Sequence, residues 1–121
     1  MPRPVLEENR IHPAVRQTVA QFQQAVLGEV QTAVAQHAVV VVGMRQNPYP
    51  RKARKALDAA GVRYHYLEYG SYLGDWRRRL ALKMWTGWPT LPLVFVKGKF
   101  VGGAEDLGRL IDSGELARLL A

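Results

Sequence analysis

The chemistry open to this chain is limited first by a residue type that it lacks. The sequence of 121 residues contains no cysteine, which excludes a disulfide, a nucleophilic thiolate and an iron–sulfur cluster held by the chain's own thiolates. Its three histidines, His12, His37 and His65, are too widely separated for the ligand spacing of a zinc site. We therefore expect no thiol chemistry and no metal site.

Basic residues are the other chemically distinctive group, and they give the chain a formal net charge of +7. Arg45, Arg51 and Lys52 flank residues 47–50, which read Asn-Pro-Tyr-Pro. A helix that begins after Pro50 would present free backbone N–H groups beside these charges, and an anion could bind there. The charge favours an anionic partner, whether nucleic acid, a phosphate compound or a small acid, although most surface Lys and Arg residues only contact solvent.

The elements that must position these residues begin with a long apolar stripe. Residues 1–12 are predicted to form an irregular lead, and residues 13–121 to form one domain. A helix of about 20 residues is predicted to start at Pro13. This extended N-terminal helix either packs on the sheet or pairs with a second copy of the chain. Its stripe consists of Val15, Val19, Phe22, Val26, Val30 and Val34.

The rest of the chain alternates between strand and helix patterns. The order α-β-α-β-α-β-β-α-α predicts one α/β domain whose first two strands are parallel and whose last two form an antiparallel hairpin. Ser113 is the predicted N-cap of the last helix. Strands are predicted at 38–42, 62–67, 93–96 and 100–101, and helices at 51–60, 73–85 and 104–111.

The apolar segments are too short for a membrane protein. The longest run, residues 38–44, falls well below the roughly 20 residues that cross a bilayer. The first residues contain no apolar core of a secretory signal. These features predict a cytoplasmic protein that does not contact a membrane.

Several motifs, in order and at suitable separations, carry a resemblance to a known family. Residues 88–92 read Trp-Pro-Thr-Leu-Pro, residues 95–103 form a hairpin that ends in Gly-Gly, and residues 112–116 read Asp-Ser-Gly-Glu-Leu. Over residues 30–120 the chain resembles the glutaredoxin family, with monothiol glutaredoxins as the most similar branch. The resemblance implies a thioredoxin-like fold, with a four-stranded mixed sheet flanked by helices.

The resemblance also shows what this chain has lost. Its Asn-Pro-Tyr-Pro segment matches the family's Cys-Pro-Tyr-Cys, so Asn47 and Pro50 occupy the positions of the two cysteines. The family's nucleophile is a thiolate of low pKa, and monothiol members also use it to share an iron–sulfur cluster. Asparagine has no ionisable group near neutral pH and can do neither. Neither thiol-disulfide exchange nor cluster binding is expected, and no catalytic residue is assigned.

The family's ligand implies a candidate binding site. In glutaredoxins the residue before a cis proline offers its backbone to glutathione, and the residues after Gly-Gly bind the γ-glutamyl end. Leu91 before Pro92 would inherit the first role, and Asp106 would receive the ligand's ammonium. The family's basic residue that grips the glycine carboxylate has no counterpart at Met44, so Arg45, Arg79 and Lys83 are the alternatives. The candidate ligand-binding residues are Arg45, Asn47, Tyr49, Arg79, Lys83, Leu91, Pro92, Gly103, Ala104, Glu105 and Asp106.

These observations leave several functions open. The leading interpretation is a non-redox binding or interaction module whose groove takes glutathione, another thiol peptide or a protein segment. One alternative is a transferase-like enzyme that uses the thiol of bound glutathione, with Asn47 or Tyr49 as hydrogen-bond donor. Another is nucleic-acid binding through residues 51–55 and 77–79, which is less favoured because no nucleic-acid motif accompanies them. A structural role with two copies paired through the N-terminal helix is compatible with the first interpretation.

Overall fold

The protein is described by a computed structural model that covers residues 3–121. Residues 1 and 2 of the predicted N-terminal lead lie outside the described residues. After one turn of 3₁₀-helix at Glu8–Arg10, the chain alternates between helices and strands. The helices are α1 (Pro13–Gln21), α2 (Gln24–Gln36), α3 (Pro48–Ala59), α4 (Trp76–Thr86), α5 (Ala104–Asp112) and α6 (Glu115–Leu120), and the strands are β1 (Val39–Gly43), β2 (His65–Glu68), β3 (Leu93–Val96) and β4 (Lys99–Gly102).

The four strands form one mixed sheet in the order β2-β1-β3-β4. Strand β1 is parallel to β2 and antiparallel to β3, and β3 pairs with β4 in an antiparallel hairpin. The prediction of a thioredoxin-like α/β fold, with a parallel first pair and a terminal hairpin, is confirmed. The sheet brings the start of β3 and the end of β4 to the same edge of the molecule, where the candidate site lies.

Two cores lie on opposite faces of the sheet, which explains why β1 is a continuous run of valines. Side chains alternate between faces along a strand, so Val40 and Val42 pack under α2 and α4, whereas Val39 and Val41 pack under α3, α5 and α6. All four valines are almost completely buried. A strand covered on both faces needs apolar residues at every position.

The predicted extended N-terminal helix is wrong in one respect, because two helices occupy its place. Gln23 adopts a left-handed conformation with φ of 50°, which an α-helix cannot contain. Val26 and Val30, after the break, are buried in the core, whereas Val15 and Val19, before it, are 47% and 55% exposed. The apolar spacing continues across the break, so periodicity alone could not reveal it. Pairing of two copies through this region stays a prediction.

Two other helices start at residues that differ from the prediction. Helix α3 starts at Pro48, not residue 51, and α4 starts at Trp76, not residue 73. Ser113, the predicted cap of the last helix, accepts a hydrogen bond from the Glu115 N–H at 3.3 Å, although Gly114 directly precedes the helix. Within residues 3–121, every helix is too short or too polar to span a bilayer.

Candidate functional site

A cavity of about 280 Å³ lies where three segments meet: the start of α3, the turn into β3 and the start of α5. It brings together most of the residues that the sequence predicts for a ligand site. Trp88 and Thr90 were not predicted, although both belong to the Trp-Pro-Thr-Leu-Pro segment that carried the prediction of Leu91. The lining consists of Tyr49, Trp88, Thr90, Leu91, Pro92, Gly103, Ala104, Glu105 and Asp106.

One wall of the cavity is backbone. The Leu91–Pro92 peptide bond is cis, as the resemblance implied. The Leu91 side chain is buried in the core beneath the sheet, and its backbone N–H and C=O make no hydrogen bond within the described part of the chain. Unpaired main-chain groups beside a cavity can pair with an extended peptide as a neighbouring strand would.

The opposite wall is the N-terminus of α5, which depends on a pair of glycines. The Gly103 N–H donates to Asp106 Oδ2 at 3.0 Å and so caps the helix. Gly102 has φ of +108°, and a Cβ there would lie 2.6 Å from the same oxygen. Glycine is therefore needed at position 102, both for the backbone angle and for the approach of the carboxylate. The N–H groups of Ala104 and Glu105 have no hydrogen-bond partner among residues 3–121.

The two carboxylates of the first turn of α5 both pair with one arginine. Arg109 lies 3.1 Å from Asp106 and 3.8 Å from Glu105, and its side chain is mostly exposed. Exposed pairs of this kind contribute little to stability. Arg109 therefore lowers the negative charge at the cavity, and Asp106 could exchange it for the ammonium of a ligand at small cost.

The Trp88 side chain adds a polar group, its indole N–H, to the lining of the cavity. Its ring packs edge-on against Phe100 at 5.5 Å. Its Nε1 is buried and has no hydrogen-bond partner in the described residues. A Cβ at Gly103 would lie 3.4 Å from this nitrogen, so the absence of a side chain there leaves room beside an unpaired donor. A buried donor without a partner is uncommon in native proteins.

The start of α3 does not offer the anion site that the sequence suggested. Helix α3 begins at Pro48, and both Pro48 and Pro50 lack an N–H. The one N–H between them, on Tyr49, donates to Asn47 Oδ1 at 2.9 Å. The expectation of free N–H groups after Pro50 is therefore wrong, because the helix starts earlier and its own cap uses the available donor.

Asn47 and Arg45 lie outside the main cavity, in a separate recess of about 90 Å³. Arg45 lies 3.6 Å from Glu68, which also accepts a hydrogen bond from the Tyr66 hydroxyl at 3.1 Å. The Arg54 guanidinium lies over the Tyr66 ring at 4.1 Å. Burial, and then the adjacent Glu68 carboxylate, raise the pKa of Tyr66 to about 12. Arg45, Glu68 and Tyr66 thus pair with one another, whereas the buried Nε of Arg54 has no hydrogen-bond partner in the described residues.

Arg79 and Lys83 also lie away from the main cavity. Arg79 is only 7% exposed, and its guanidinium donates to the carbonyl oxygens of Tyr69 and Gly74, which fixes the loop before α4. Lys83 lines a different recess, between α4 and residues 3–5. The structure thus brings neither basic residue to the position of a carboxylate grip.

The described residues contain no cluster of three or more His, Asp or Glu side chains that could hold a metal ion. His37 and His65 stack face to face, with ring centroids 4.2 Å apart. Their contact joins the end of α2 to the start of β2, far along the sheet from the cavity lining.

Comparison with known proteins places this geometry in a family context. The profile of the family described as glutaredoxin matches residues 39–101. A glutaredoxin-like protein of Dictyostelium discoideum is 44% identical over 95 residues, which cover 78% of this chain and 77% of that protein. Oxidised glutaredoxin 2 of Chlamydomonas reinhardtii superposes with a TM-score of 0.70 at 32% identity, covering 81% of this chain and 92% of its own. A buckwheat glutaredoxin–glutathione complex superposes with a TM-score of 0.71 at 27% identity, covering 83% and 91%.

Proposed function

The chain belongs to the glutaredoxin family, and from that premise we propose that it is a non-redox binding module whose groove takes glutathione or a similar thiol peptide. The family's thiol chemistry is absent because the sequence contains no cysteine. The observation that carries the proposal is the cavity between Leu91 and the start of α5, which keeps unpaired backbone groups on both walls.

The groove suits a peptide because its polar groups are spaced along an apolar cleft. The free N–H and C=O of Leu91 can pair with the backbone of an extended ligand. The free N–H groups of Ala104 and Glu105 stand at the positive end of α5, where a carboxylate is favoured. Asp106 can then pair with an ammonium on the same amino-acid unit. A γ-glutamyl group carries both charges on one carbon, which matches this arrangement.

The affinity of the groove is expected to be modest. Among the described residues that line the cavity there is no Lys or Arg, so the carboxylate at the other end of the ligand lacks a basic partner. Hydrogen bonds to charged groups contribute about 1.5–3 kcal/mol each. Because the glycine carboxylate of reduced glutathione would form no ion pair in this cavity, we expect a dissociation constant on the order of 1 mM.

The test is a calorimetric titration with reduced glutathione of the wild type and two variants at one position. Ala104→Pro removes a single free N–H, and proline is well tolerated at the first position of a helix. Gly103 before it is already extended, as a residue before proline prefers. Ala104→Ser is the matched control, because it changes the side chain and keeps the N–H.

Saturable binding that falls about tenfold in Ala104→Pro and stays within about threefold in Ala104→Ser is the expected result. No saturable binding at millimolar glutathione, or equal binding by the two variants, would overturn the proposal. Far-ultraviolet circular dichroism of both variants shows whether the fold is unchanged, so that a loss of binding is assigned to the N–H.

Within the family, the motifs favour the monothiol branch. The Trp-Pro-Thr-Leu-Pro segment at residues 88–92 and the Gly-Gly at residues 102–103 are the features that support this finer placement. We propose that the chain derives its groove from that branch and lost cluster binding together with the thiol, because a cluster shared between subunits needs a thiolate ligand.

A further inference from the structure

Helix α4 exposes a line of large apolar side chains that the fold does not use. Trp76, Leu80 and Met84 are spaced four residues apart and therefore lie along one side of the helix. They are 59%, 40% and 59% exposed, and Leu73, in the turn before the helix, is 95% exposed. We call these four residues the α4 stripe.

The stripe is additional to the face that holds α4 in the core. Ala81, Leu82 and Trp85 of α4 pack in the core with the sheet and α2, so a different side of the helix is buried. Helix α3, by contrast, exposes Arg51, Lys52 and Lys55 on its outer side, as a surface helix normally does. A contiguous exposed apolar patch on a domain of this size marks an interaction site.

Positive charge borders the stripe. Arg77 and Lys83 lie on the two sides of the stripe along the helix, and the Arg77 guanidinium lies 5.2 Å from the centre of the Trp76 ring. Asp75 lies 4.0 Å from Arg78. In the part of the chain that the structure describes, Arg77 and Lys83 form no ion pair. A partner that covers the apolar line would meet unneutralised cations at its edges, so acidic flanks on the partner would be favoured.

A segment of the chain itself lies beside the stripe. The Arg3 guanidinium donates to the carbonyl oxygens of Met84 at 3.3 Å and Trp85 at 3.1 Å. The residues after it line a recess of about 540 Å³ that also includes Leu80 and Met84. Trp88 lines both this recess and the main cavity. The apolar surface is therefore concave next to the stripe and continuous with the groove.

We propose that the α4 stripe is a docking surface for an acidic amphipathic helix of a partner protein. Anchors at four-residue spacing on one helix match the apolar face of another helix laid along it. The cations at the border match acidic side chains on either side of that face. This inference goes beyond the proposed groove function and does not depend on it.

Two other occupants fit the observations less well. A second copy of the chain would bring a second patch with the same unpaired cations, Arg77 and Lys83, into the interface, because a two-fold interface pairs identical patches. A bilayer would favour protruding anchors, whereas only Leu73 protrudes fully and the recess beside Leu80 and Met84 is concave. Both remain as outcomes of the test.

The experiment uses the full chain and a synthetic peptide of roughly 18 residues, with Leu at helical spacing on one face and Glu on both flanks. A scrambled peptide of the same composition controls for charge alone. Fluorescence anisotropy of the labelled peptide gives the affinity. The variants are Arg77→Glu with Lys83→Glu, and Leu80→Ser with Met84→Ser. The matched control is Lys52→Glu with Lys55→Glu, which makes the same change of charge on exposed residues of α3.

Binding of the amphipathic peptide that weakens at least tenfold in both α4 variants, and less than threefold in the α3 control, is expected. Equal binding of the scrambled peptide, equal weakening by the α3 control, or no binding would overturn the proposal.

Two further measurements test the other occupants. If the protein forms a dimer in sedimentation, and the Leu80→Ser with Met84→Ser variant is a monomer, the stripe belongs to a second copy. Binding to phosphatidylserine vesicles that Leu73→Ser removes, without peptide binding, would assign it to a membrane. The dimer result and the vesicle result would each overturn the proposal of a partner helix.

Discussion

The N-termini of α3 and α5 lie on either side of the candidate groove and are built in opposite ways. At α3, two prolines remove two N–H groups and Asn47 accepts the third from Tyr49. At α5, the capping hydrogen bond from Gly103 to Asp106 leaves the N–H groups of Ala104 and Glu105 without partners. One helix end is closed by its own sequence, and the other is open to a ligand.

The difference shows which parts of a binding site survive a change of sequence. In glutaredoxins the α3 side acts through a cysteine side chain, and this chain has asparagine at that position. In the proposed groove the α5 side and the Leu91 wall would act through the main chain, which depends on the course of the backbone. Glycine at position 102 maintains that course because its φ is +108°. Backbone sites are therefore lost through glycine and proline changes more than through exchanges of functional side chains.

The largest effect is expected from Gly102→Ala, which should disrupt the open end. The new Cβ would lie 2.6 Å from Asp106 Oδ2 at a positive φ, so strain and displacement of the cap should lower the free energy of unfolding by about 3 kcal/mol. Urea denaturation measures this. Gly108→Ala is the control, because a Cβ there meets nothing within 4 Å, and it should stabilise by about 0.5–1 kcal/mol. Equal stability of Gly102→Ala and the wild type would contradict the role assigned to Gly102.

A second change should reopen the closed end. Asn47→Cys introduces the chain's one thiol, next to a helix whose third residue lacks an N–H. Asn47→Cys with Pro50→Ala restores that donor, and the thiol pKa should fall by a further 1–2 units, roughly, because one hydrogen bond to a charged group contributes about 1.5–3 kcal/mol. The pH dependence of alkylation by iodoacetamide gives both values. Identical pKa values in the two variants would show that Pro50 does not close the helix end.

Removal of the α3 cap should separate stability from binding. Asn47→Ala leaves the Tyr49 N–H without its acceptor and should lower the free energy of unfolding by about 1 kcal/mol. Because Asn47 lies outside the main cavity, glutathione titration should give the wild-type affinity. Asn47→Asp, which retains a capping oxygen, should keep most of the stability. A tenfold loss of affinity in Asn47→Ala would place Asn47 in the ligand site after all.

The smallest effect on stability is expected at high pH, from Tyr66 near the start of α3. The pKa of Tyr66 is raised from 10.0 to about 12, chiefly by burial and then by Glu68. Because the folded chain keeps a proton that the unfolded chain releases, stability should be unaffected below pH 10 and should fall as the pH rises from about 10 to about 12. Tyr66→Phe should reduce this slope. Urea denaturation across this pH range makes the measurement.

The fold could be predicted because its signals are local and ordered along the chain. The buried valines of β1, the turn at residues 88–92 and the Gly-Gly after the hairpin each specify one element. The break at Gln23 could not be predicted, because glutamine is an ordinary helix former and the apolar spacing continues past it. Its left-handed conformation separates α2, which has three buried residues, from α1, which has none.

The candidate site divides in the same way. Leu91, Gly103 and Ala104 could be predicted to lie together at the cavity, because their positions follow from the course of the backbone. Arg45 and Arg79 could not, because the direction of a long side chain depends on which neighbours accept its hydrogen bonds. Arg45 pairs with Glu68, and Arg79 donates to carbonyls of its own loop. The positions of Arg45 and Arg79 in the sequence did not determine these contacts.

The burial of β1 affects how often the groove should open by local unfolding. Strand β1 pairs on both sides, and its valines are shielded on both faces, so its amide hydrogens should exchange with solvent only when the whole domain unfolds. The Leu91 wall joins β3, the direct neighbour of this strand, whereas α1 has no buried residue and should exchange first. The groove is thus attached to the slowest-opening part of the molecule, and a ligand would spend little of its binding energy on ordering it.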